Sequence, residues 1–178
     1  MFSTATYDRG VPERDAVDDL VDQWRHERPD LSPDGLAAMA TIGRLGRFAA
    51  LVAPRVERVF AAHGLRTGEF DVLAALRRAG APYVLTPTRL SRALMLSPAA
   101  TTHRLDRLDD AGWVERNLDP ENRRSILVRL TDPGRELVDR AVADHVDNER
   151  RILGPLGPDD RALLDGLLRR LLAGVEDP

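Results

Sequence analysis

The stretch LTPTRLSRALMLSPAATTHRLDRLDDAGWVERNLDPENRRSILVRLTDPGREL, residues 85–137, decides the fold. Thr86-Pro87 and Ser97-Pro98 are each a side-chain cap followed by proline, the combination that opens a helix. The first of these helices is short, with Leu90 and Leu94 facing inward, and Met95-Leu96 form a turn. The second runs to Ala111 with Leu105 and Leu108 inward, and Gly112 closes it. Two strand signals follow, at residues 113–116 and 125–130, where Ile126, Val128 and Leu130 alternate with Leu127 and Arg129. Between them, Asn117 to Arg124 is a polar hairpin tip carrying Arg123 and Arg124. Two helices, a tight turn and a basic hairpin are the parts of a winged helix-turn-helix.

Outward from this centre the chain reads as helical. Residues 1–11 carry no periodic signal and read as a flexible tail. Val17, Leu20, Val21 and Trp24 recur at helical spacing from about Pro12 to Arg28. A second helix, from near Pro33 to Ala62, carries the stripe Met39, Ile42, Leu45, Ala49, Val52, Val56, Val59 and Phe60. Pro54 inside it predicts a kink or a local break, and His63-Gly64 stops it. Thr67 is the expected cap of a third helix ending at Gly80, with Phe70, Leu73, Ala74 and Leu76 on its apolar face. Thr131-Asp132-Pro133 opens a long helix to about Leu153, and a Leu-rich helix spans residues 159–175. The expected fold is mostly α with a small β-hairpin wing. Residues 12–62 and 131–178 form a helical dimerisation scaffold, and residues 63–130 the DNA-binding domain.

Charge distribution says more than the net charge of -3. Residues 1–34 hold nine acids and four Arg, whereas residues 87–129 hold eight Arg and six acids. All 26 basic residues are Arg, a side chain whose two-pronged fork suits guanine and phosphate alike. Cysteine is absent, so disulfides, thiol catalysis and thiolate metal sites are excluded. There is no Gly-rich phosphate loop and no serine in a nucleophile elbow, and the four His show no metal-ligand spacing. The chain therefore does not read as an enzyme, and no cofactor or metal is expected. No uninterrupted apolar run approaches the ~20 residues needed to span a bilayer, and residues 1–10 lack the features of a secretion signal. The expectation is a cytoplasmic protein with no membrane partner.

A helix fits the major groove, where base edges present a distinctive pattern of donors and acceptors. On the helix from Pro98, the expected groove-facing residues are Pro98, Ala99, Thr102, His103 and Arg107. Arg123 and Arg124 on the wing suit the minor groove or the phosphate backbone. A dimer would place two such helices in successive major grooves of a pseudo-palindromic operator in double-stranded DNA.

The whole run resembles the core of the MarR family of transcriptional regulators. The resemblance rests on the helix-turn-helix, on LDRLDDAGWVER leading into the wing, and on RLTDPG leading into the following helix. One departure lies in the wing, where Asn122-Arg123-Arg124 stands in place of the family's usual Asp, any residue, Arg. The segments QWRHERPDLSPDGLAAMATIGRLGRF and HGLRTGEFDVLAALRRAGAPYVLTP are similar to the urate-responsive PecS/HucR branch. That resemblance implies a homodimeric repressor released by a small anionic effector, urate first among the candidates. It also implies a ligand site made by Trp24, Asp71, Arg78 and Arg104. Asp71 and Arg78 are two helical turns apart and share a face. Each residue also fits a plainer role: Trp24 in packing, Asp71 and Arg78 on a solvated face, Arg104 at a phosphate.

Overall fold

The computed structural model describes residues 14–120, 122 and 125–176, so the expected tail at residues 1–11 lies outside the described residues. The chain divides into two compact units, Met1–Ala53 and Pro54–Pro178. The boundary falls inside helix α2, Pro33–Ala62, which passes through Pro54 as one helix rather than breaking there. Proline at 54 removes a single backbone donor, and the 30-residue helix absorbs that loss.

In the first unit, helix α1, Ala16–Glu27, packs on the start of α2. Asp15 and Asp18 cap α1 reciprocally. Asp15 Oδ1 accepts from the Val17 and Asp18 amides at 2.8 and 3.2 Å, and Asp18 Oδ2 accepts from the Asp15 amide at 2.8 Å. Val17, Val21 and Leu36 are buried, with Leu31 and Ala40 against them. Gly43 lets the helices close, since a Cβ there would stand 3.2 Å from Val17. Arg44 donates to both Asp15 and Asp18, at 2.8 and 2.6 Å, tying α2 to the capped end of α1.

The expected apolar stripes are only partly buried. On α1, Leu20 and Trp24 stay exposed, and on α2 so do Met39, Ile42, Phe48 and Leu51. By length and composition α2 is apolar enough to cross a membrane. Arg44 and Arg47 punctuate the helix, so no uninterrupted apolar run marks it in the sequence.

The second unit is built around helix α3, Thr67–Arg78, whose Val72, Leu73 and Leu76 are fully buried. Arg66, not the expected Thr67, takes the cap position, and Glu69 Oε2 accepts from its amide at 2.9 Å. The end of α2 turns into α3 through Gly64, whose φ of 71° is the left-handed value glycine accommodates. There the Leu65 amide donates back to the Phe60 carbonyl at 3.0 Å.

Helices α4, Pro87–Ala93, and α5, Pro98–Asp110, open on the expected caps. Thr86 Oγ1 accepts from the Arg89 amide at 3.3 Å, and Ser97 Oγ accepts from the Ala100 amide at 3.2 Å. The turn between them is made by Met95 at φ 52°. Strands β2, Val114–Leu118, and β3, Ile126–Leu130, pair antiparallel with Arg116 opposite Val128. The sequence did not disclose strand β1, Val84–Leu85, which pairs on the other edge of β3 to give the order β1-β3-β2. Helix α6, Asp132–Ile152, buries Leu137, Val138 and Ala141 against α3. Helix α7, Pro158–Glu176, buries no residue at all.

Candidate nucleic-acid interface and ligand site

Two fixed edges hold α5. On the α4 side, buried Thr101 donates to the Ser97 carbonyl at 3.1 Å and shares a 2.9 Å hydrogen bond with Ser91 Oγ. On the wing side, Arg116 of β2 reaches Asp106 and Asp109 of α5, both at 2.8 Å. The strand leading to the wing is thereby tethered to the helix beside it. Pro98, Ala99, Thr102 and His103 are exposed on the remaining face. Thr102 Oγ1 donates to the Pro98 carbonyl at 3.0 Å, which leaves its oxygen lone pairs outward as acceptors.

Arg104 and Arg107 are partly buried, and both lean toward the start of α3. Arg104 Nη1 donates to the Gly68 carbonyl at 3.3 Å. Arg107 Nε stands 2.6 Å from Glu69 Oε1. Its N–H is not aligned on that oxygen, so the contact is a charge pair rather than a directed hydrogen bond. Arg66, Gly68, Glu69, His103, Arg104 and Arg107 line a cleft of about 190 Å³. Glu69 is its one carboxylate. Arg123 and Arg124 lie outside the described residues.

A second group of charges lies further along α3. Asp71 is half-buried, and burial pushes its carboxyl above the usual range while the nearby charges of Arg104, Arg78 and His145 pull it down. Three of the four ligand residues expected from sequence therefore share one electrostatic neighbourhood. The fourth, Trp24, belongs to the other unit, where the residue is 45% exposed rather than sealed in a core.

His145, which sequence reasoning passed over, packs against Phe60 and Phe70 with ring centroids 4.9 and 5.4 Å away. Its Nε2 faces Glu149 Oε1 at 3.2 Å, and its Nδ1 is buried without a hydrogen-bond partner among the described residues. Periodicity held the signal for both overlooked residues. Glu69 precedes Leu73 by four and Leu76 by seven, and His145 follows Ala141 by four and Val138 by seven. Each is a polar residue on a buried face.

The family description of MarR matches residues 63–125, the segment that holds the helix-turn-helix and most of the wing. The HTH-type transcriptional regulator PecS of Dickeya dadantii is 44% identical over 155 residues, covering 87% of this chain and 92% of PecS. The chain belongs to the MarR family. Among solved members, a mutant MarR from Escherichia coli complexed with operator DNA superposes with a TM-score of 0.62 at 30% identity. That match covers 74% of this chain and 96% of the other. BpsR of Bordetella bronchiseptica, whose DNA binding is regulated by 6-hydroxynicotinic acid, superposes with a TM-score of 0.63 at 26% identity, covering 72% and 90%. The protein is accordingly a DNA-binding transcriptional regulator of the MarR type and not an enzyme, and α4, α5 and the hairpin are its winged helix.

Proposed function

We propose that this MarR-type regulator is a homodimeric repressor that occupies a pseudo-palindromic operator and is released by a small aromatic anion, most specifically urate. It would act where the chromosome is, in the cytoplasm. The observation that carries the ligand reading is that half-buried Asp71 shares one electrostatic neighbourhood with Arg78, Arg104 and His145 in the winged-helix unit. Urate is flat and anionic near neutral pH, and arginine forks suit its carbonyl oxygens. Asp71 has the wrong sign for an anion, so its proposed role is to hold the arginines in the empty protein. An arriving anion competes for them and is repelled by Asp71. Arg104 lies on the recognition helix, so its displacement reaches the DNA face within one helix. The regulation of BpsR by 6-hydroxynicotinic acid, another small flat acid, is consistent with this chemistry. Trp24 is assigned to the same ligand by the resemblance alone, and quenching of its fluorescence is the check.

The dimer is supported by α7, where Leu163, Leu167, Leu171, Leu172 and Val175 are all exposed in the single chain. A helix with that much apolar surface uncovered needs a second surface to bury it. Removing residues 157–178 is expected to abolish dimerisation and DNA binding together.

The central experiment titrates urate into the protein–operator complex. Release of DNA together with tryptophan quenching is expected, with a coupling of about 1–3 kcal/mol that is reciprocal between the two ligands. Failure of both signals, or a parental response from Asp71→Asn and Arg104→Ala, removes urate and this site from the account. It leaves the family assignment untouched.

A further inference from the structure

We propose that Glu69 is a positioning residue for base recognition: its buried carboxylate sets the direction in which Arg107 of the recognition helix presents its guanidinium. The inference rests on the reading that α5 enters the major groove. It adds a specificity determinant that lies on α3, outside the helix that touches DNA.

Glu69 is 4% exposed, and an ionised carboxylate at that depth must be compensated. Two groups compensate it. The Arg66 amide donates to Oε2 at 2.9 Å, which spends that oxygen on the helix cap. Arg107 Nε stands 2.6 Å from Oε1, and no other cation is found that close among the described residues. The two side chains are unequally covered: 5% of the Glu69 side chain is exposed against 39% of Arg107. The carboxylate thus grips the inner edge of the guanidinium and leaves its outer edge open.

The outer edge is the part that can recognise a base. A guanidinium reads guanine by presenting two N–H groups side by side to O6 and N7. A free arginine has several rotamers to lose before it can do so, and a buried counter-charge at Nε removes much of that freedom in advance. Arg107 opens on the same cleft as His103, which is fully on the exposed face of α5. Its Nε is thus turned to buried Glu69, while the rest of the partly exposed side chain borders the cleft that His103 also lines. Arg104, its neighbour one turn back, is held separately by the Gly68 carbonyl at 3.3 Å. The first turn of α3 thus carries two adjacent acceptors, and each restrains a different arginine of α5.

The test uses full-length protein and operator DNA selected by the parent. Glu69→Gln keeps the volume and an oxygen for the Arg66 amide but withdraws the charge from Arg107. Binding is measured against a panel in which each base pair of a half-site is replaced in turn, with thermal melting and light scattering as controls for fold and assembly. Arg107→Gln should erase discrimination at one base pair per half-site, by about tenfold or more. Glu69→Gln should weaken discrimination at that same pair and at no other, and the double variant should lose no more than Arg107→Gln alone. The dependence on salt should stay parental, since no phosphate contact is removed.

Three results overturn the proposal: parental discrimination in Glu69→Gln, a uniform loss at every position with scrambled DNA included, or no position-specific loss in Arg107→Gln. If Glu69→Gln fails to fold, Glu69→Asp, which keeps the charge but shortens the reach, must give the same single-position loss or the proposal falls. Should the parent itself select no sequence, the sequence-specific repressor reading fails instead, and the two failures are distinguishable.

Discussion

Gly134→Ala tests how tightly the wing is seated on the scaffold. Gly134 is in the first turn of α6, and its amide donates to Thr131 Oγ1 at 3.0 Å. A Cβ at this position would lie 1.9 Å from the Trp113 carbonyl oxygen and 2.8 Å from its carbon. An ordinary close C···O approach is about 3.3 Å, so the two backbones would have to part by about 1.4 Å. Backbone faces backbone here, and no rotamer change can relieve the overlap. The same junction holds the Thr131 amide to the Trp113 carbonyl at 3.2 Å and Thr131 Oγ1 to the Gly112 carbonyl at 2.8 Å. Overpacking of this kind costs up to about 3 kcal/mol, and alanine returns up to about 1 kcal/mol of helix propensity. The expected net loss is about 2 kcal/mol, a fall in Tm of about 4–8 °C for a chain of this size.

Gly68→Ala is the internal contrast. Its Cβ would fall 2.4 Å from Arg104 Cζ, the far end of a flexible side chain that can swing away. That variant should melt at or slightly above the parental temperature while losing the Arg104–Gly68 contact. Thermal melts followed by circular dichroism decide both. A Gly134→Ala protein as stable as the parent, or a Gly68→Ala protein as damaged as Gly134→Ala is expected to be, would mean that the backbone approach at Gly134 does not limit stability.

Other positions offer equally direct checks. Met95 holds φ at 52° and is 93% exposed, so Met95→Gly relieves backbone strain while losing little packing. It should raise stability by about 0.5–1 kcal/mol in urea titrations, and a lower midpoint would contradict the strained turn. Asp71 has a carboxyl pushed upward chiefly by burial. Its ionised form therefore opposes folding at all pH values above the raised folded value. The opposition fades as pH falls toward the ordinary carboxylate range and is absent below it. Asp71→Asn should accordingly raise Tm at pH 7 and lose that advantage in acid, and a constant advantage across pH would count against the assignment. Asp15 is held at about 2, first by its hydrogen bond from Arg44. Its depressed value supplies stability that is present above the usual carboxylate range and lost as pH falls toward 2. Arg44→Ala should flatten the stability profile between about pH 4 and pH 2, and an unaltered acid limb would refute the link.

Much of the fold was legible because its punctuation is local. Caps such as Thr86 and Ser97 followed by proline act within four residues, and the observed helices α4 and α5 begin where those pairs stand. Strand β1 was not legible, since two residues carry no alternation and Val84-Leu85 are extended because β3 offers them partners. Thr67 looked like a cap by residue type, but the Glu69 carboxylate reached back one residue further, to Arg66.

The site divides along the same line. Local pattern was enough to show which face of α5 is polar, that Asp71 and Arg78 share a helix face, and where α4 and α5 begin, because helical period and cap chemistry act over a few residues. Long-range packing, by contrast, sets that Arg107 meets Glu69 rather than standing free, that Arg104 rests on the Gly68 carbonyl, and that His145 joins the neighbourhood of Asp71. Those pairings span 36 to 74 residues of chain. A charge buried at that range finds its partner through packing, which brings three helices together at distances no local pattern encodes.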